Sequence, residues 1–235
     1  MQTQQRIVIN GITLDLLPQR AAFLPDYQTL LVADTHFGKD ATFRWAQIPV
    51  PTGSTAGTLA TLDALIEQTA AKRLIILGDM FHARSSLSQD VCKAVESFLQ
   101  RHRTLSVMLT IGNHDVATGD LPEHWPIERI KAGRIGDLYL THHPDRLLDP
   151  AIQADAALIV CGHIHPALHL ETVSDRIGKL PCFWLTDKQL VLPAIGQFTG
   201  TYAVRPGASD RIWVVADDQV IELPQAYRSA ASTRR

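Results

Sequence analysis

Cysteine is scarce in this sequence, as are long apolar runs and any excess of one charge. Its three cysteines, Cys92, Cys161 and Cys182, lack the paired spacing of a zinc knuckle and are too few for a disulfide framework, so they read as reduced thiols. No apolar stretch is long enough to cross a bilayer. Met1 to Arg20 lacks the cationic start, apolar centre and small-residue cleavage site of a secretion signal. A cytoplasmic protein with no membrane partner is therefore expected. Lysine and arginine total 22 against 24 acidic residues, so the net charge of -2 gives no general attraction to phosphate polymers. Any nucleic-acid contact must be local. Internal repeats and low-complexity blocks are also missing.

What remains is an ordinary globular composition, 46% hydrophobic and 20% charged, over 235 residues, enough for one sizeable α/β domain and short for two. We expect a single domain over 1–224 and a polar, flexible tail over 225–235. The chain is organised around Arg73 to His82, RLIILGDMFH. Leu74 to Leu77 is an unbroken apolar run of the kind found in parallel strands covered on both faces. Asp79 then sits just past the strand's C-terminal end, the edge where ligands gather in open α/β sheets. The pattern recurs. Leu30 to Ala33 runs into Asp34-Thr35-His36-Phe37-Gly38, Leu105 to Ile111 into Gly112-Asn113-His114-Asp115, Asp137 to Thr141 into His142-His143, and Leu158 to Cys161 into Gly162-His163-Ile164-His165. Five strands deliver Asp, Asn or His at the same end.

Elsewhere, Asn10-Gly11 marks a hairpin between Arg6–Asn10 and Thr13–Leu17, and Pro25-Asp26 turns Arg20–Leu24 into Thr29–Ala33. Lys39 to Gln47 is a short helix or an ordered loop, closed by Pro49 and Pro51. Helical spacing predicts helices over Thr55–Ala71, capped by Ser54 or Thr55, and over Ser88–His102. Ile127–Ala132 and Arg134–Leu140 read as two strands, and Ala151–Ala156 as a short helix. Beyond His165, alternating segments from Ala167 to Leu223 predict a second, largely antiparallel sheet packed on the first.

The side chains Asp34, His36, Asp79, Asn113, His142, His163 and His165 exceed what one tetrahedral zinc needs and suit two divalent ions sharing a bridging carboxylate, for which Asp79 is the candidate. Two ions ~3.5–4 Å apart clamp a phosphate ester and present a hydroxide for in-line attack. Imidazoles and carboxylates without thiolate favour Mn2+, with Fe or Zn2+ as alternatives. His114, directly after Asn113, is placed to protonate the leaving oxygen, and His82 to donate a second hydrogen bond. Asp115 holds either the loop or a ring. Lys39, Arg44 and Arg84 are either solvated charges or substrate-phosphate contacts. Trp45 either stacks on a base or packs on the Pro49–Pro51 loop. His102, His124 and His169 lie outside the motifs and read as structural or surface residues.

The ordered motifs D-x-H-x-G, G-D, G-N-H-D, a lone His and G-H-x-H, spanning Ala33 to His165, resemble the calcineurin-like metallophosphoesterase superfamily. The resemblance implies a four-layer sandwich of two packed mixed β-sheets flanked by helices. It also implies one ion held by Asp34, His36, Asp79 and His165 and another by Asp79, Asn113, His142 and His163, with His143 an alternative to His142. Gly78-Asp79-Met80-Phe81-His82 is similar to the G-D-x-F-H of the superfamily's double-strand-break-repair nucleases. More narrowly, Asp34 to Lys39, Phe43-Arg44, Pro49 to Gly53, Leu77 to Arg84 and Leu192 to Gly200 resemble the bacterial ligase-associated DNA damage response endonucleases. That likeness implies metal-dependent DNA cleavage in repair, alongside a DNA ligase and a helicase. Two other readings are weighed: a small-molecule phosphodiesterase or dinucleotide polyphosphate hydrolase, and a non-catalytic scaffold on the same fold.

Overall fold

The computed structural model describes residues 3–45, 47, 48, 50, 53–144, 154–171 and 176–224. Pro49, Pro51, the side chain of Trp45, the start of the helix expected at Ala151 and the tail over 225–235 lie outside the described residues.

Two mixed sheets pack face to face. The first has seven strands in sequential order: β1 (Gln5–Ile9), β2 (Ile12–Leu17), β3 (Ala21–Leu24), β4 (Thr29–Val32), β5 (Arg73–Ile76), β6 (Ser106–Thr110) and β7 (Ile127–Ile130). Pairing is antiparallel through β4 and parallel from β4 to β7. The parallel crossovers are made by α1 (Lys39–Trp45) with α2 (Ser54–Thr69), by α3 (Gln89–Arg101) and by the short α4 (Asn113–Thr118). Strand alternation explains the unbroken apolar runs. Leu30, Val32, Leu74, Ile76, Val107 and Leu109 face Leu59, Leu62 and Leu65 of α2 and Val95, Phe98 and Leu99 of α3, while Leu31, Ala33, Ile75 and Leu77 face the second sheet.

The second sheet has nine strands, β8 (Ala132–Ile135), β9 (Leu138–Thr141), β10 (Leu158–Cys161), β11 (Pro166–Glu171), β12 (Arg176–Thr186), β13 (Gln189–Val191), β14 (Tyr202–Ala203), β15 (Arg211–Ala216) and β16 (Gln219–Glu222). Leu138, Leu140, Leu158, Val160, Phe183, Leu190 and the fully buried Trp213 form its half of the inter-sheet core. On its outer face a small cluster of Leu168, Cys182, Val204, Ile212 and Val214 is covered by the chain around β14; no helix lies over this cluster among the described residues.

Three local expectations are corrected. Arg134–Leu140 is not one strand: Gly136, at φ 56°, and Asp137 break it into the β8–β9 hairpin, which begins the second sheet. The second sheet thus starts before His165 and takes in β9 and β10, two of the five motif-bearing strands. At the start of α2 neither Ser54 nor Thr55 is the cap. Gly53 occupies that position with φ 98°, and its N–H is taken by the carboxylate of Asp40 from α1 at 3.2 Å.

Candidate metal centre

The loops leaving β4, β5, β6, β9 and β10 converge at the seam between the sheets and bring Asp34, His36, Asp79, Asn113, His142, His163 and His165 together. The first two loops are bonded to each other by backbone: Asp34 N–H to Gly78 O at 3.2 Å, His36 N–H to Asp79 O at 3.0 Å and Phe37 N–H to Met80 O at 2.8 Å. Asp115 resolves its own alternatives by holding loops. Its carboxylate accepts the N–H groups of Asp79, Met80 and Gly112 at 2.7, 2.9 and 2.9 Å, tying the loop after β5 to the loop after β6. Burial raises the Asp115 pKa, as does the Asp79 charge, against the backbone hydrogen bonds that lower it.

Backbone shape does much of the aiming. Asp34, His36, Asp79, His163 and His165 all lie in the left-handed region, at φ 55, 44, 51, 72 and 52°. Non-glycine residues are uncommon there, and each costs of order 1–3 kcal/mol unless the surroundings impose it. Two glycines make room: a Cβ on Gly162 would lie 2.6 Å from Asp34 Oδ2, and one on Gly78, at φ 78°, would run into the His142 ring.

The donor atoms are evenly spaced. On one side, His165 Nε2 is 3.3 Å from both His36 Nε2 and Asp34 Oδ1. On the other, His142 Nε2 is 3.2 Å from Asn113 Oδ1, 3.2 Å from His163 Nδ1 and 3.4 Å from Asp79 Oδ2. Ligand atoms at about 2.0–2.1 Å from one ion stand roughly 3 to 3.4 Å from one another, so these separations have the size of a coordination polyhedron's edges. Asp34 and Asp79 are 0% and 2% exposed, and no lysine or arginine forms an ion pair with either among the described residues. Asp34 Oδ1 faces only the His165 and His142 rings, at 3.3 and 3.9 Å, and the buried His36 Nδ1 has no hydrogen-bond partner among the described residues. Buried carboxylates without a cation are costly, so the residues present fit divalent ions.

Protonation follows the same geometry. Burial disfavours charge on His142 and His165, but the hydrogen bonds and charges of Asp79 and Asp34 outweigh it and raise both pKa values. Asp79, despite burial, is drawn down to about 2, chiefly by His142. His36 is pushed down to about 2 by burial and then by His165. Two backbone carbonyls, invisible to any reading of side-chain motifs, set the tautomers. Nδ1–H of His142 donates to Leu77 O and that of His165 to Gly200 O, both at 2.9 Å, which leaves each Nε2 facing the carboxylates. His143 contacts the His142 and His163 rings at centroid distances of 4.7 and 4.4 Å, and His142, buried to 1% exposure, is the one beside Asp79.

His114 and His82 flank the cluster, their rings stacked at 4.8 Å and 25°, with the His36 ring edge-on to both. His114 Nδ1 lies 2.6 Å from His82 O, and its backbone N–H donates to Asp79 Oδ1 at 2.8 Å. Burial, then Lys39 and His114, push the His82 pKa down to about 4. Lys39 is half-buried beside this group, its Nζ 5.9 Å from the Phe43 ring. Arg44 and Arg84 are engaged elsewhere: Arg44 pairs with Asp40 at 3.0 Å, and Arg84 donates to Thr118 O and Asp120 O at 3.1 and 3.3 Å.

Comparison with known proteins agrees with this geometry. The calcineurin-like phosphoesterase profile matches residues 27–147, just over half of the chain. Curated proteins give no match. Among solved structures, the Pseudomonas putida nuclease MPE is 32% identical over 94% of this chain and 100% of its own, with a TM-score of 0.80. The E. coli phosphoesterase YfcE is 15% identical over 80% and 88%, at a TM-score of 0.37 that bears no argument. Profile, fold and donor set agree: the chain belongs to the calcineurin-like phosphoesterase family and is a metal-dependent phosphoesterase.

Proposed function

We propose that this phosphoesterase is a dinuclear enzyme hydrolysing DNA phosphodiester bonds, an endonuclease acting on single-stranded or flexible DNA. The observation that carries the reading is the pair of buried carboxylates, Asp34 and Asp79, that no lysine or arginine neutralises among the described residues and that evenly spaced imidazole and amide donors surround. Asp34, His36, Asp79 and His165 would hold one divalent ion and Asp79, Asn113, His142 and His163 the other, with Asp79 as the bridge. Mn2+ is the best match to this mixture, ahead of Fe or Zn2+. When bound, the ions supply Lewis-acid polarisation of the phosphate and an activated water nucleophile. Asn113 and His163 are exposed, so the centre is open to solvent there.

His114 Nδ1–H is committed to the His82 carbonyl, so Nε2 is the atom that hands a proton to the leaving alkoxide. His82, kept neutral by its surroundings, contributes a hydrogen bond to the phosphate instead of a proton. Lys39 adds a positive charge on the same side; Arg44 and Arg84, engaged with protein groups, are weaker phosphate contacts. A nucleic-acid substrate is supported by the likeness to the Pseudomonas putida nuclease, and DNA in particular by the motif resemblance. A place in DNA repair beside a ligase and a helicase is supported by motif resemblance alone.

Incubation with Mn2+ and circular single-stranded DNA tests the reading: linear product is expected. Circles left intact while small nucleotides are turned over rapidly would instead mark a small-molecule phosphodiesterase or dinucleotide polyphosphate hydrolase. His114→Ala should keep its metal content and lose ~10²–10⁴ in turnover, whereas Asp79→Asn should weaken both ions. Equal metal loss in the two variants overturns this division of roles.

A further inference from the structure

Exposed aromatic side chains are few: among the described residues only Tyr27, Phe198 and Tyr202 are large aromatics in the open, and two of these lie on one short segment. That segment is fastened to the candidate metal centre. Ile195 N–H and Gly196 N–H donate to Ala33 O and Asp34 O at 3.0 and 3.2 Å, Gly200 O accepts from His165 Nδ1 at 2.9 Å, and Tyr202 N–H donates to His165 O at 2.9 Å. Gln197 N–H is held by the Thr58 hydroxyl and Thr199 Oγ1 by Gly196 O. On this rigid base Phe198 is 50% exposed in left-handed backbone, at φ 60°, and Tyr202 is 65% exposed. A large apolar ring held outward in a strained conformation gains nothing for the fold.

Next to Tyr202 the surface opens into a groove of about 660 Å³ lined by Lys179, Trp184, Thr201, Tyr202, Val204 and Arg205. Trp184, half-buried, lines it and donates a hydrogen bond from Nε1 to Asp210 Oδ2 at 2.9 Å. Lys179 and Arg205 are exposed and form no ion pair among the described residues, although the chain as a whole carries a net charge of -2. Two uncommitted cations and outward aromatic rings, continuous through His165 with the catalytic cluster, are the ingredients of single-strand recognition: bases stack on rings while cations follow the backbone.

We infer that the segment 196–205 is the reception track for a single-stranded DNA substrate, with Phe198 and Tyr202 as stacking platforms and Lys179 and Arg205 as phosphate anchors leading away from the His165 side of the metal centre. The inference rests on the DNA-cleaving reading and names where its substrate lies. It also accounts for how a slightly acidic protein holds DNA, since a few local contacts replace a basic face.

The test compares two substrates of the Mn2+-loaded full chain: a single-stranded oligothymidylate, long enough to reach the groove, and bis(p-nitrophenyl) phosphate, which is not. Phe198→Ala and Tyr202→Ala should each raise KM for the oligonucleotide by about 5- to 150-fold, the usual worth of one base–aromatic stack, and Tyr202→Trp should restore it. Lys179→Glu and Arg205→Glu should each flatten the dependence of log KM on log salt by about 0.7 or more. Turnover of the aryl diester should stay at the wild-type level in all five. Unchanged oligonucleotide KM in the Phe198→Ala/Tyr202→Ala double variant overturns the track while leaving the nuclease reading intact. Equal losses on both substrates also overturn it, because the segment would then only brace His165. Wild-type turnover of the aryl diester with no oligonucleotide cleavage removes the DNA reading itself, and the track with it.

Discussion

Asp40 belongs to α1 yet acts at the start of α2. Burial favours its neutral form, but hydrogen bonds from the Ser54 hydroxyl, Arg44 and the Gly53 N–H outweigh that and hold its pKa below the ordinary 3.8. A carboxylate whose folded pKa is depressed stabilises fully above the unfolded value of about 3.9 and loses that contribution as pH falls through the folded value. Asp40→Ala should therefore cost about 1 kcal/mol at pH 7, the usual net worth of a lost hydrogen bond, and the difference should fade in acid as this carboxylate takes up its proton. Urea denaturation of both proteins at pH 7 and in acid checks this; an undiminished gap in acid would mean that lost packing, not charge, is responsible. The sequence could not reveal this anchor, since its acceptor lies on α1 and its donors at the start of α2. Nor could it reveal the left-handed backbone of Asp34, His36, Asp79, His163 and His165, because aspartate and histidine reach that region only where neighbouring loops force them.

The helices and central strands were legible because their periodicity is strong: Leu59, Leu62 and Leu65 in α2, or Leu74 to Leu77 covered on both faces, leave few alternatives. What was not legible is how the loops between them are locked, and Asp115 carries most of that. Its carboxylate takes three backbone N–H groups from two loops, so replacing it disturbs the placement of Asp79 and Asn113 without removing either. Asp115→Asn turns one accepting oxygen into an NH2 that faces backbone donors, leaving buried N–H groups unpaired at ~1–3 kcal/mol each. We expect a folded but less stable protein whose Mn2+ affinity falls about 10- to 100-fold, the range for groups that orient ligands, measured by calorimetric titration. Wild-type affinity in a destabilised variant would show that the loops keep their shape without this clamp.

The centre is a property of the whole molecule because its donors come from both sheets. Asp34, His36, Asp79 and Asn113 leave β4, β5 and β6 of the first sheet, whereas His142, His163 and His165 leave β9 and β10 of the second. Motif order along the chain showed that these residues meet, but not that a sheet boundary runs between them, because β9 and β10 are as apolar as the first sheet's strands. Ions bound at the seam therefore link the two layers and act on global stability in addition to chemistry. At a free concentration about a hundredfold above Kd, one ion adds about 2.7 kcal/mol, and in a chain of this size that corresponds to a rise in Tm of roughly 5–10 °C. Melting in Mn2+ against melting in EDTA should show that rise for the wild type. Asp79→Asn, from the first sheet, and His163→Ala, from the second, should each shrink it. His163 is exposed, so its removal should leave the EDTA melting temperature nearly unchanged. A full Mn2+ shift in His163→Ala would mean that the second sheet's exposed histidine holds no ion, and the two-ion arrangement would have to be given up.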